Sequence, residues 1–319
     1  MTVRTQWKRA TLSRVLLVLT AMAPAVPVVC APAPTPYDTI NAAAASATID
    51  SSPLRRGLIV LFGSGANITV LTGANGKFLV DGGIALSKVK LKAALDAIGP
   101  EPLKYLVNTH WHWDHSDGNE WLHNLGATII ARPETLKDLQ STIRIEEWGH
   151  TFTPVPPAAL PTVLISKEKI MDFDRERVVI RPYLPSHTNG DLVVYFTRAD
   201  VLATGDTYWN GLYPFIDHEV GGGIDGMIRA ANMDISAAGD NTIIVPGHGP
   251  LSGKKDLMEY RDMLVDIRNK VSSLKSEGLS EEQAIAAKPS AAYDGKWGTS
   301  IINPALFVHL IYVSLPASR

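Results

Sequence analysis

Apolar positions in the first third of the chain fall into short runs: Gly57 to Phe62, Asn67 to Thr72 and Lys77 to Val80. Glycine turns divide them, so the pattern predicts a meander of β-strands. The period then changes. Val89, Leu91, Ala94, Leu95 and Ile98 recur at helical spacing, and Gly99-Pro100 stops the element, which predicts a helix over Ser87 to Ile98. A strand at Tyr105–Val107, a helix over Asn119–Leu125, a strand at Ala127–Ala131 and a helix starting after Pro133 follow. Strands alternating with helices imply layered α/β packing.

Pro154, Pro156, Pro157 and Pro161 crowd Thr151 to Thr162 and mark a loop or crossover. Beyond it, short strand-like runs return, each ending in a turn. After Gly253 the pattern becomes helical: Lys254 to Lys275, then Ser280 to Ala287 opening on Ser-Glu-Glu, then the apolar stretch Asn303 to Val313. These predict terminal helices that cover the sheet within the same domain.

At the other end, Arg4, Lys8, Arg9 and Arg14 precede the apolar run Val15 to Ala23, and Ala23 and Ala25 have the spacing of a signal-peptidase site. The run is shorter than the about 20 residues a membrane span needs. Residues 1–25 therefore read as a signal peptide, 26–50 as a flexible leader rich in Ala, Pro and Thr, and 51–319 as the folded domain. The expectation is an exported, periplasmic protein with no stable membrane insertion after processing. Cys30, the single cysteine, excludes an intramolecular disulfide. Pro27-Val28-Val29 before it lacks the small residue of a lipoprotein cleavage box, which argues against a lipid anchor. With 45% hydrophobic and 19% charged residues, a formal charge of −2 and a pI near 6.5, the chain has ample core material and no basic footprint for nucleic acid.

The densest chemistry is His110-Trp-His112-Trp-Asp114-His115, directly after an apolar run. Residues at i and i+2 of an extended segment share a side, so His110 and His112 can close on one cation while Asp114 and His115 face a second. By the same alternation, Trp111 and Trp113 point away and pack under the site. Imidazole and carboxylate suit zinc and other first-row cations better than calcium or magnesium. Three later turns beside apolar runs each carry one more ligand type: His187 in Pro185 to Asp191, Asp206 after Val201 to Gly205, and His248 in Pro246 to Gly249.

Taken in order, these residues resemble the full metal-binding set of the metallo-β-lactamase superfamily, and Phe78-Leu79-Val80-Asp81-Gly82-Gly83 resembles its first motif. The resemblance runs from about Gly57 to Gly249. It implies an α/β fold, an αββα sandwich with metals at one edge and a helical C-terminal cover. It also implies two Zn2+ ions, with iron or manganese as substitutes. His110, His112 and His187 would hold one metal, Asp114, His115 and His248 the other, and Asp206 would bridge them. A water ionised between the metals, a metal-bound hydroxide, would be the nucleophile, with Asp114 as the catalytic proton carrier. Asp81 would support ligands through hydrogen bonds. The polar-aromatic loop after Asp206, with Trp209, Asn210 and Tyr213, is placed to wall a substrate pocket, and Gly221 to Gly223 open a further helix.

The expected activity is hydrolysis of a small ester, thioester, lactone or lactam. A β-lactamase proper is an alternative that export favours, but Asp206 stands where the best-known β-lactamases of the superfamily carry Cys or Ser. Glyoxalase II-like members need a basic C-terminal grip, for which Lys254, Lys255, Arg261 and Arg268 are available, although their helical spacing equally suits a solvated face. A mononuclear iron persulfide dioxygenase fits export and the complete ligand set poorly. A non-catalytic metal-binding module would be expected to have lost a ligand. The sequence carries no statement of oligomeric state.

Overall fold

In the computed structural model, residue 2 and residues 33–316 are described. The signal-peptide segment, its cleavage spacing and Cys30 lie outside them. The chain begins with α1 (Pro36–Ser46), β1 (Asp50–Pro53), β2 (Leu58–Ser64), β3 (Ala66–Gly73) and β4 (Gly76–Val80). α2 (Lys88–Ile98), β5 (Leu103–Val107), α3 (Trp113–Ser116), α4 (Asn119–Asn124), β6 (Thr128–Ala131) and α5 (Pro133–Leu139) follow. A small hairpin, β7 (Ile143–Ile145) and β8 (His150–Phe152), and the two-residue β9 (Val163–Leu164) lead into the second half. There come β10 (Lys169–Phe173), β11 (Glu176–Pro182), β12 (Leu192–Phe196), β13 (Val201–Trp209), α6 (Ile224–Ala237) and β14 (Ile243–His248). Four helices close the chain: α7 (Lys254–Ser276), α8 (Glu281–Ala286), α9 (Asp294–Trp297) and α10 (Pro304–Ser314).

The strands form a seven-stranded sheet in the order β1-β2-β3-β4-β5-β6-β9 and a five-stranded sheet in the order β10-β11-β12-β13-β14. Phe78, Val80, Val107 and Ile130 from the first meet Val178, Ile180, Val194, Phe196 and Ala203 from the second in one buried cluster. That apolar contact between inner faces is what holds two sheets together. On the outer face of the first sheet, Leu91 and Leu95 of α2 and Trp121 and Leu122 of α4 cover Leu79, Leu106 and Ile129. On the second, Ala230 of α6 packs on Tyr183, Val193 and Leu202. The architecture is the αββα sandwich, and α7 with α10 builds the helical cover through Leu264, Ile267, Phe307 and Ile311.

β4, β5 and β6 run parallel in the first sheet, and β13 and β14 run parallel in the second. Their C-terminal ends carry Asp81, His110 and His248, with Asp206 inside β13, so the sandwich gathers distant residues at one edge.

The expected leader over 26–50 is corrected from Thr35 onward: 36–46 is helix and 50–53 is strand. The Thr35 side chain accepts from Asp38 N at 3.1 Å, the Asp38 carboxylate accepts from Thr35 N at 3.1 Å, and Pro36 occupies the first turn. At the other end Lys90 Nζ donates to the carbonyls of Ala44 at 3.1 Å and Ala45 at 2.8 Å, placing a cation where the helix is electronegative. Composition alone missed a capped and docked helix.

Candidate metal centre

β5 delivers the chain into an extended turn, and His112 still has extended backbone angles (φ −55°, ψ 146°) before α3 starts at Trp113. His110 and His112 therefore share a side, as alternation predicts, whereas Asp114 and His115 project from a helical turn. This switch also corrects the expectation for one tryptophan. Trp111 packs beneath the site with its indole N–H on Asp217 Oδ2 at 3.2 Å, but Trp113 lines the cavity above it. Asp206 is aimed by irregular register between β13 and β14. Gly247 keeps that space open, since a Cβ there would lie 1.9 Å from Asp206 Oδ1.

The seven predicted ligands converge in two groups. In the first, His112 Nδ1 lies 3.0 Å from His110 Nε2 and 2.9 Å from His187 Nε2. Asp206 Oδ2 faces them, 3.4 Å from His187 Nε2 and 3.8 Å from His110 Nε2. The other oxygen, Oδ1, faces the second group at 3.2 Å from His115 Nε2 and 3.5 Å from His248 Nε2. Asp114 Oδ2 completes it, 3.2 Å from His248 Nε2. One carboxylate thus spans both groups.

The far side of four of the five rings is occupied. His115 Nδ1 donates to Asp81 Oδ2 at 2.8 Å, His112 Nε2 to Asp217 Oδ2 at 2.8 Å, and His187 Nδ1 to the Phe215 carbonyl at 2.8 Å. His110 Nδ1 donates to Thr109 Oγ1 at 3.0 Å, and that hydroxyl donates to Asp81 Oδ2 at 2.9 Å. These acceptors set the tautomers of His110, His112 and His187 and leave three unprotonated nitrogens pointing inward. Bare nitrogens 2.9–3.0 Å apart repel one another. His115 Nε2, His248 Nε2 and Asp206 Oδ1 are buried with no hydrogen-bond partner. A tetrahedral cation holding nitrogens at about 2.0–2.1 Å resolves both conditions at nearly these separations. The residues fit a pair of metal ions.

Protonation differs between the groups. Burial, reinforced by His115 and His187, holds His110 well below the usual imidazole range, and burial lowers His187. For His115 and His248 burial acts the same way, but carboxylates outweigh it. Asp206, Asp81 and Asp114 push His115 well up, and Asp206 with Asp114 brings His248 to about 9. Reciprocally, burial would raise Asp206 and Asp114, but the facing histidines keep both carboxyls below their ordinary value. A cation entering the second group displaces protons.

Asp81 holds the first motif together at φ 67°, a left-handed conformation that aspartate tolerates when its side chain is locally bonded; Oδ1 accepts from Thr109 N at 2.8 Å. Asp217, not singled out by sequence reasoning, is buried and clamps His112 and Trp111 together. Gly222 makes its loop feasible, because a Cβ there would lie 2.2 Å from the His187 carbonyl and 2.7 Å from that of Asp217.

Above the ligands lies a cavity of about 330 Å³. Trp209 lines it, with its ring 4.2 Å from that of His248. The other two expected pocket residues do not. Asn210 turns to the Pro250 carbonyl at 3.0 Å, and Tyr213 reaches Asp294 Oδ1 at 2.9 Å while stacking on Phe307. The missing walls come from Trp148, Phe215, Ile40 and Ala43 of α1, and Ile301 and Ile302 near the C-terminus. No Lys or Arg lines the cavity among the described residues. Arg261 and Arg268 pair with Asp262 and Asp225 on the surface, as a solvated face.

Known proteins share the fold. Among solved structures, the stereoselective inverting sec-alkylsulfatase Pisa1 from Pseudomonas sp. is similar at 18% identity and TM-score 0.63, over 84% of this chain and 51% of that one. The chain thus spans about half the length of the alkylsulfatase. DIM-1 metallo-beta-lactamase matches at 18% identity and TM-score 0.55, over 69% of this chain and 98% of its own. A metallo-beta-lactamase from Pontibacter korlensis matches at 16% and 0.54, over 69% and 100%. These likenesses concern the fold. Residues 61–248, from the second strand to the last metal ligand, match the family description of the metallo-beta-lactamase superfamily, and the chain belongs to that superfamily.

Proposed function

We propose that the protein is an exported dinuclear zinc hydrolase whose substrate is a neutral ester, thioester, lactone or lactam with an apolar body. The observation that carries this reading is the cavity: aromatic and aliphatic walls stand directly over two ligand groups joined by Asp206, with no Lys or Arg among them. Metal ions held there would supply Lewis acidity and lower the pKa of water to near neutrality. The protein's own contribution is orientation and proton handling. Trp113, Trp148, Trp209 and Phe215 enclose the apolar part of a substrate and aim its carbonyl at the Asp206 edge. Asp114, held ionised by His115 and His248 against its burial, accepts the proton of the attacking water and returns it to the leaving group. Export rests on the N-terminal sequence, with small molecules as partners and no nucleic acid.

A β-lactam bearing a carboxylate finds no Lys or Arg in this cavity, so a β-lactamase proper is the weaker reading. Hydrolysis of an alkyl sulfate ester has the apolar wall in its favour but no Lys or Arg to hold the anionic headgroup beside the metals. An iron persulfide dioxygenase would leave the second ligand group without a role, and a non-catalytic module would leave the cavity without one.

The test is a series of nitrophenyl esters of rising acyl length, a medium-chain lactone, a chromogenic cephalosporin and a secondary alkyl sulfate, offered to zinc-loaded protein. Metal-dependent kcat/KM is expected to rise with acyl length, and Asp114→Asn to lower turnover by about 10²–10⁴-fold with the fold intact. Absence of metal-dependent turnover on every ester and lactone would sink the proposal; turnover confined to the sulfate or the cephalosporin would replace it.

A further inference from the structure

Away from the metal centre, three residues from separate elements meet at one point. Glu147 sits in the turn between β7 and β8, His218 in the short 3-10 turn His218–Val220, and His309 in α10. Glu147 Oε1 lies 2.9 Å from His218 Nε2 and 3.1 Å from His309 Nε2, and the three side chains can each direct one ligand atom within 4.8 Å of the others.

We propose that Glu147, His218 and His309 form an additional transition-metal site, of the kind that takes zinc, which fastens the C-terminal helix to the turn bearing the pocket wall. The donor set, two imidazoles and a carboxylate, is a zinc set with one position left for water. Glu147 has a side chain only 8% exposed, and its second oxygen, Oε2, is buried without any hydrogen-bond partner. An ionised carboxylate oxygen left so is costly unless a cation satisfies it. The imidazoles are 25% exposed, enough to admit an ion and its water. Behind them stand further carboxylates: His309 Nδ1 donates to Glu281 Oε1 at 2.7 Å, and Glu219 Oε1 lies 3.8 Å from His218 Nδ1. A carboxylate behind a ligating imidazole fixes its tautomer and raises its basicity, as in the main centre.

Position in the chain separates this cluster from the family's own site. His309 lies beyond residues 61–248, so the match to the superfamily does not include it. The ion would link three parts of the molecule. Trp148, next to Glu147, walls the cavity; Asp217, next to His218, supports His112; His309 belongs to the helical cover.

Metal content decides the matter. Stripped full-length protein is reloaded with excess Co(II) or Zn2+, desalted, and its bound equivalents counted beside Glu147→Gln and His309→Gln. The expected result is one equivalent fewer in each variant than in the parent, with loss of the matching share of tetrahedral Co(II) absorbance. Circular dichroism reports that the variants are folded, and the equivalents held by the seven central residues should stay as in the parent, because none of the three residues belongs to those groups. Equal metal content in parent and variants, with folding shown by circular dichroism, overturns the proposal and leaves the cluster as two protonated imidazoles clamped on Glu147.

Discussion

Single residues in this protein act through the far sides of their neighbours. The seven candidate ligands were legible because each stands in a motif that places it: four in one histidine-rich turn, the others in glycine-containing segments beside apolar runs. Asp217 was not, because a lone aspartate far along the chain from His112 gives no local sign that the two will touch. Its role is testable. Asp217→Asn keeps the shape but replaces the charged acceptor of His112 Nε2 and of the Trp111 indole. Affinity of the first metal position is expected to fall about 10–100-fold, with the second position unchanged. Competition against a chromophoric chelator reads both steps, and an unchanged first step would remove Asp217 from the ligand machinery. Trp113 shows the converse difficulty: strand alternation held through His112 and failed one residue later, where α3 begins.

At the scale of elements, most strands and helices announced themselves by period and punctuation, while α1 was hidden by its composition. An alanine-rich segment beside proline reads as a leader, although Thr35, Pro36 and Asp38 together spell a helix start. What keeps the helix in place is tertiary: Tyr37 stacks on His150 with ring centroids 3.7 Å apart, and its N–H donates to the Trp148 carbonyl at 3.2 Å. Helices this short are marginal alone and depend on such packing. Ala43 is exposed to solvent yet faces the cavity, so bulk added there enters the pocket without disturbing the core. Ala43→Trp is expected to raise KM for long acyl esters by about tenfold, the cost of losing roughly 1.4 kcal/mol of apolar contact, while acetate esters are turned over at the parental rate. Equal effects on short and long esters would show that α1 does not wall the acyl site.

For the whole molecule, the chief consequence of the metal centre is a link between pH, metal and stability. His248 rises to about 9 in the metal-free fold from an ordinary value near 6.5, and His309 rises to about 9 as well. A raised imidazole stabilises the fold fully below its unfolded pKa and loses that contribution as pH climbs through the folded one. The Tm of stripped protein should therefore fall between about pH 6.5 and 9. Zinc needs its ligands deprotonated, so its stabilising effect grows over the same window, and the Tm gap between loaded and stripped protein should widen. Calorimetry at fixed free zinc would show it; a gap that narrows with rising pH would contradict the protonation described for the second ligand group. The layered α/β plan and the helical cover were visible in the hydrophobic pattern, but long-range closure was not, since no local period tells Ile40 that it will share a cavity with Ile302. The seven ligands span His110 to His248, whereas the cavity draws on Thr39 through Ile302. During synthesis, then, a ribosome finishes all seven residues of the two central groups well before it finishes the pocket. A chain halted or trimmed in that interval carries both ligand groups and most of the aromatic wall but lacks Ile301 and Ile302, so the closing of the cavity is the last step the growing polypeptide reaches.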